Sequence, residues 1–289
     1  MTISEIKKME IGNVVEVTGM LCRKDILTKP ADGSPYLMVA VQDKTGTIEF
    51  PVWKRFEAAN AALEIGNIYK VSGTLGEYKK VVQISYPTFY PAENENPEEY
   101  VPAFEVSAKD VERFHEIIGD FKDERYRKFL EACFNWKIKD STVWELFYNV
   151  PAAVKHHHNK VHGTFIHTLT MMEQVLALKK IYGDHALINY DRLITKVVLH
   201  DISKTREYSY PVISRNPIKM DHMAMGAAFI MNVNDSVNIL ESKEIDDLGY
   251  AILSHHGEFG GYEIRTLEDE ILHCVDMIDS RINNETQTE

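Results

Sequence analysis

The hydrophobic pattern of this 289-residue chain changes period once, across "PAENENPEEYVPAF" (residues 91–104). That change limits the fold to a β unit followed by a helical one. Before it, "NVVEVTGML", "YLMVAVQDKTGTIEFPVW", "NIYKVSGTL" and "KKVVQISYPTFY" alternate or run apolar. They are rich in Val, Ile, Tyr and Phe and broken by Gly, Asp-Gly and Lys-Thr-Gly turns. "KRFEAANAALEIG" (54–66) interrupts them with Ala and Leu at helical spacing.

Three strands, a helix and two strands within roughly 80 residues predict a small five-stranded Greek-key barrel of the OB type, with an SH3-like barrel or a plain sandwich as structural alternatives. From Ser107 the pattern is helical: "SAKDVERFHEIIGDF", "DERYRKFLEACFNW", "HTLTMMEQVLALKKIY", "YDRLITKVVLHD", "HMAMGAAFIMNV", "DDLGYAILSHH" and "LEDEILHCVDMIDSRI". The expected organisation is a barrel over 1–92, an acidic, Pro-containing linker over 93–106, an all-α bundle over 107–283 and a polar tail over 284–289.

A formal charge of −12 argues against a nucleic-acid binder, but the charge is uneven. Residues 1–92 hold 11 Lys/Arg against 10 Asp/Glu, whereas residues 93–289 hold 21 against 34. A near-neutral part and an acidic part suggest two jobs. Cys22, Cys133 and Cys274 lie far apart with no CxxC pair, which points to a reducing cytoplasm and against a disulfide framework or zinc-thiolate site. No signal-like core follows "MTISEIKKME", and no apolar run approaches the roughly 20 residues of a membrane span, so no membrane partner is expected.

Ten of the twelve histidines fall between His156 and His256, too tight a cluster for isolated core residues. His167, His200 with Asp201, His222, His255 with His256, and Asp276 each lie at or near an end of an apolar helical segment, where a bundle can aim side chains into one pocket. Any one of them alone reads as a satisfied core histidine or a helix cap; five along consecutive helices read as one shared site. Imidazole with carboxylate and no thiolate suits Mn²⁺, Fe²⁺ or Zn²⁺, and a carboxylate can bridge two ions. An ion removes the burial penalty on Asp201. A metal pair of this kind lowers the pKa of a bound water toward ~7 and clamps a phosphoryl group for in-line attack.

The order H…HD…H…HH…D resembles the HD-domain metal-dependent phosphohydrolases. The resemblance implies one metal held by His167, His200, Asp201 and Asp276, and a second by His222, His255 and His256 with Asp201 bridging. Lys204, in "HDISK", stands where the family has its lysine, a catalytic position beside Asp201. The flanks narrow the match. "PAAVKHHHNKVHGTFIHT", "VVLHDISK", "ILSHHG" and "EILHCVDMIDS", together with the barrel strings, resemble the YhaM-type 3′→5′ exoribonucleases over nearly the whole chain. The chain departs from that pattern at His162 (usually Gly), Ile166 (usually acidic), Ser203 (Gly) and Asp221 (Gly).

The resemblance implies hydrolysis of single-stranded RNA from its 3′ end to nucleoside 5′-monophosphates with two Mn²⁺, leaving single-stranded DNA as a further substrate and a homo-oligomer open. OB barrels hold single strands through aromatic platforms and a few cations. Tyr36, Phe50, Trp53, Tyr69 and Tyr78 are candidates, of which about half should point into the core. Trp53, Tyr78, Lys79 and Lys80 are the expected exposed set. Arg206, Arg215 and Lys219, in the loop before His222, are expected to meet phosphates. The rival functions are an HD phosphodiesterase acting on a small nucleotide or cyclic dinucleotide, and a non-enzymatic single-strand binder.

Overall fold

In the computed structural model, which describes residues 1–29, 32–153, 160–211, 213 and 216–283, the chain divides into two units, Met1–Ala103 and Phe104–Glu289. The first is built on five antiparallel strands: β1 (Val14–Thr28), β2 (Pro35–Asp43), β3 (Gly46–Val52), β4 (Ile68–Tyr78) and β5 (Val81–Pro91), hydrogen-bonded in the order β3-β2-β1-β4-β5. β1 serves two partners, β4 along Val14–Met20 and β2 along Met20–Thr28, with a register shift at Leu21/Arg23 where it turns from one to the other. The sheet curls until its outer strands touch, Phe50 of β3 stacking on Phe89 of β5 with centroids 5.9 Å apart. Inward residues Val15, Val17, Leu37, Val39, Val41, Ile48, Phe50, Val71 and Ile84 fill the interior, as the period-2 pattern requires.

The apolar pattern ends at Leu21, whereas β1 continues for seven residues. "CRKDILT" hides its strand character behind charges that the fold satisfies at the surface. Arg23 pairs with Glu49 at 3.1 Å, and Lys24 Nζ donates to the carbonyls of Asn60 and Leu63. Two short helices flank the sheet, α1 (Ile3–Ile6), which buries Ile3 and Ile6 in the same core, and α2 (Phe56–Ala62). Pro97–Tyr100, within the stretch that reads as a linker, forms a 3₁₀ turn against β1 and β2.

The second unit is helical: α3 (Ala108–Gly119), α4 (Glu124–Asn135), α5 (Val143–Asn149), α6 (Gly163–Tyr182), α7 (Tyr190–Leu199), α8 (Lys204–Glu207), α9 (His222–Val237), α10 (Ser242–Ser254) and α11 (Leu267–Ile282). A two-residue hairpin, Lys137–Ile138 with Ser141–Thr142, precedes α5. Ser107, Asp123, Thr142, Asn189, Asp221 and Thr266 each accept a backbone N–H of the helix they precede, which satisfies donors that a buried helix start would leave unpaired. Phe114, Phe129, Phe147, Phe165, Val197, Ile230, Leu248 and Leu272 are fully buried in one core.

One charged cluster lies inside that core. The Lys196 ammonium, on α7, sits 2.8 Å from Asp269, 3.0 Å from Asp247 and 3.3 Å from Glu268, and Arg192 pairs with Glu268 at 2.7 Å. It ties α7 to α10 and α11. No helix among the described residues is long and apolar enough to cross a membrane.

Candidate metal centre

α7 and α10 end in the same way. His200, the residue after Leu199, donates its Nδ1–H to the Val197 carbonyl at 2.7 Å, and His255, after Ser254, donates its Nδ1–H to the Ile252 carbonyl at 2.7 Å. A carbonyl can only accept, so the tautomer of both rings is set and each Nε2 carries its lone pair. Both Nε2 atoms are buried and without a hydrogen-bond partner, and so is Asp201 Oδ1. Three orphaned acceptors in one place are costly unless something electron-poor is to be held there.

The other ligand candidates converge on the same place. His167 of α6 puts Nε2 3.3 Å from Asp276 Oδ1 of α11. His222, the first residue of α9, brings Nε2 to 3.1 Å from His256 Nε2 and 3.8 Å from Asp201 Oδ1. Three groups of donor atoms result, each within 4.8 Å of one another: His167, His200 and Asp276; His200, Asp201 and His255; and His222, His255 and His256. The middle group shares a member with each of the others, so all seven sequence candidates are brought together.

The electrostatics suit a cation. Burial holds His200, His222 and His255 below the ordinary imidazole range, His255 furthest, so they are neutral lone-pair donors. Burial alone would raise Asp201, but the Lys204 ammonium holds it well below the usual carboxylate range. Burial would also lower His167, yet Asp276 on one nitrogen and Asp279 on the other push it up to about 10. The donor set, nitrogen and carboxylate without sulfur, fits a divalent ion.

Asp279 is the site residue that the sequence pattern does not single out. Its Oδ2 lies 2.6 Å from His167 Nδ1, and Asn283 Nδ2 donates to Oδ1 at 3.0 Å. A signal for it exists, since it stands one helical turn beyond Asp276 on the same face of α11.

Lys204 is buried, its ammonium 3.9 Å from Asp201 Oδ1 and 3.3 Å from Glu207 Oε2. The departures from the family pattern have local structural roles. His162 takes the left-handed conformation (φ +67°) that a glycine adopts freely, and is held there by a 2.8 Å hydrogen bond to the Tyr148 carbonyl and a ring contact with Tyr148. The Ser203 hydroxyl donates to the His222 carbonyl at 2.6 Å, fastening the start of α9, and Asp221 is the N-cap of α9. Ile166 packs against the core.

On the sheet unit, Trp53 and Tyr78 are 49% and 63% exposed, with Lys79 and Lys80 also exposed. Phe50 and Tyr69 are buried, and Tyr36 lies half-buried against Trp53 with centroids 4.4 Å apart. Arg206 and Lys219 are exposed, whereas Arg215 falls outside the described residues.

Two family models match the chain: an OB-fold nucleic acid binding domain over residues 15–92 and an HD domain over residues 164–281. Among curated proteins, the chain is similar to the 3′-5′ exoribonuclease YhaM of Listeria welshimeri (27% identical), Listeria monocytogenes (26%) and Listeria innocua (25%). Each match runs over 286 residues, 95% of this chain and 87% of the relative.

Proposed function

We infer that this chain is a metal-dependent 3′→5′ exoribonuclease of the YhaM family, an OB-fold nucleic-acid-binding domain followed by an HD domain. It hydrolyses single-stranded RNA from the 3′ end and releases nucleoside 5′-monophosphates, with single-stranded DNA as a further substrate. The observation that carries the reading is the set of orphaned, buried acceptors on His200, Asp201 and His255. A scaffold or a plain binding domain has no reason to retain them.

Two Mn²⁺ ions are the cofactors proposed. His167, His200, Asp201 and Asp276 would hold one, and His222, His255 and His256 would hold the other. Ions bound there supply Lewis-acid contact to phosphoryl oxygens and a water acidified toward ~7.

The chain's own groups set the conditions for that chemistry. The Val197 and Ile252 carbonyls fix the tautomers of His200 and His255. Asp279 keeps the proton of His167 on Nδ1 and leaves Nε2 for the metal side. Lys204 offsets the charge that develops on the phosphate, from a buried position where a cation acts more strongly than in water. Arg206 and Lys219 meet phosphates of the RNA, and Trp53, Tyr78, Lys79 and Lys80 hold unpaired nucleotides on the sheet unit.

The test is a single-stranded RNA of about 20 nucleotides, long enough to be tracked, labelled at its 5′ end and incubated with metal-stripped protein plus Mn²⁺. A ladder that shortens from the 3′ end, absent with Asp201→Ala, is the expected result. Intact RNA together with hydrolysis of a cyclic dinucleotide would replace this reading with the small-nucleotide phosphodiesterase.

A further inference from the structure

One tyrosine of the sheet unit stands in a conformation that its residue type opposes. In the β4–β5 ladder Ser72 pairs with Thr88 and Thr74 with Ser85, so Tyr86 and Pro87 together oppose the single residue Gly73. This is a bulge, and its first residue takes the left-handed backbone usually left to glycine: Tyr86 has φ +55°. Pro87 fits because a bulge leaves an N–H without a ladder partner. Gly73 permits the close approach, since a Cβ there would collide with Ile84 Cγ2 and lie 2.7 Å from the Ser85 carbonyl oxygen.

The outcome of this strain is a ring in solvent. Tyr86 is 84% exposed, so no burial of the side chain offsets its backbone. Strained positions of this kind persist where function needs them. Across the seam where β3 meets β5, Tyr86 and Pro87 line a groove of about 340 Å³ with Pro51, Val52, Trp53 and Lys54. Trp53 is steadied by Tyr36 against its ring and by the Lys29 ammonium 4.9 Å from its centroid. The lining is apolar and aromatic, Lys54 and Lys29 supply positive charge, and no carboxylate lines the groove among the described residues. Aromatic faces with cations at the margin match an unpaired base attached to a phosphodiester chain.

We propose that this groove is a nucleobase site, taking one unpaired base of the single-stranded RNA against Trp53 and Tyr86, with Lys54 and Lys29 facing the adjoining phosphates. The identity of the ligand rests on the exoribonuclease reading; the groove itself rests on the bulge. The site lies at the seam between β3 and β5, apart from the Tyr78–Val81 turn that carries Lys79 and Lys80.

The test separates the two. In EDTA, where hydrolysis does not run, the full chain is titrated into a 5′-fluorescein oligouridylate of about 12 nucleotides, within the span one OB fold covers. Trp53→Ala and Tyr86→Ala each weaken binding roughly tenfold, and Tyr86→Phe keeps it. Tyr86→Gly also weakens binding, while its melting temperature stays level or rises, because the left-handed backbone no longer carries a Cβ. Wild-type affinity in Tyr86→Gly, or no binding by the wild-type chain, overturns the groove. Wild-type protein that binds through the groove yet leaves the RNA intact with Mn²⁺ overturns the nuclease reading and upholds the base site.

Discussion

The Asp279 carboxylate meets the Nδ1 of His167 at 2.6 Å, both groups being 1% exposed. A ligand imidazole braced in this way binds better because its orientation and tautomer are set beforehand. Asp279→Asn should therefore weaken Mn²⁺ binding by about 10- to 100-fold while leaving every direct ligand in place. Isothermal titration of the metal-free variant measures it; an unchanged Kd would mean that Asp279 only fills space.

The same brace predicts a proton count. In the ion-free chain His167 is protonated up to about pH 10, held there by Asp276 and Asp279 against the effect of burial. An ion needs the Nε2 lone pair, so close to one proton must leave as it binds. Affinity for Mn²⁺ should rise with pH through the neutral range, by about tenfold per unit, and level off above the His167 pKa. The slope of binding enthalpy against buffer ionisation enthalpy at pH 7.5 gives the number of protons released.

Metal also reports on stability. Each ion that binds only the folded chain at a hundred times its Kd adds about 2.7 kcal/mol, roughly 5–10 °C in the melting temperature of a unit this size. The gain should vanish with EDTA and with Asp201→Ala, as seen by differential scanning calorimetry.

Lys196 serves the fold. Its ammonium is fully buried among Asp269, Asp247 and Glu268. Lys196→Met would remove the 2.8 Å partner of Asp269 and leave Arg192 as the cation paired with Asp247 and Glu268, and should lower the stability of the helical unit by about 3–5 kcal/mol. Urea denaturation followed by circular dichroism provides the value; a loss below about 1 kcal/mol would show that the cluster is easily relaxed.

The β4–β5 turn sets stability against binding. Lys79 and Lys80 occupy the two left-handed positions of a two-residue hairpin, at φ +51° and +64°, where Asn-Gly is preferred. Replacing the pair by Asn-Gly should stabilise the sheet unit by about 0.5–1 kcal/mol. It should also lower the salt slope of RNA binding by about 1.4, if each lysine meets one phosphate. Melting curves and affinities at several salt concentrations test both halves together.

Much of this centre is legible in the sequence because its candidate ligands sit at helix ends, where an apolar run stops and a polar pair begins. "VVLHD" and "ILSHH" announce themselves by that contrast. Asp276 is harder to see, one acid among several in α11, and Asp279 harder still, because it acts through another side chain. The second half of β1 is hidden by Arg23, Lys24 and Asp25, whose pairing depends on strands and loops distant in sequence. Tyr86 is hidden for a different reason. A left-handed backbone is announced by glycine or asparagine, and a tyrosine there follows from the bulge opposite Gly73, a feature of the ladder rather than of the residue.

Each of His200 and His255 spends its Nδ1 proton on a carbonyl three residues earlier in its own helix. The aim of each ring is thus a local property of its helix end, and assembly of the unit has only to set the spacing between ends. A chain in which α7 and α10 persist as helices but have parted would keep both rings aimed and hold no ion. Metal occupancy therefore certifies docking rather than helicity, and would distinguish an expanded, helix-rich state from the native one where far-ultraviolet spectra could not.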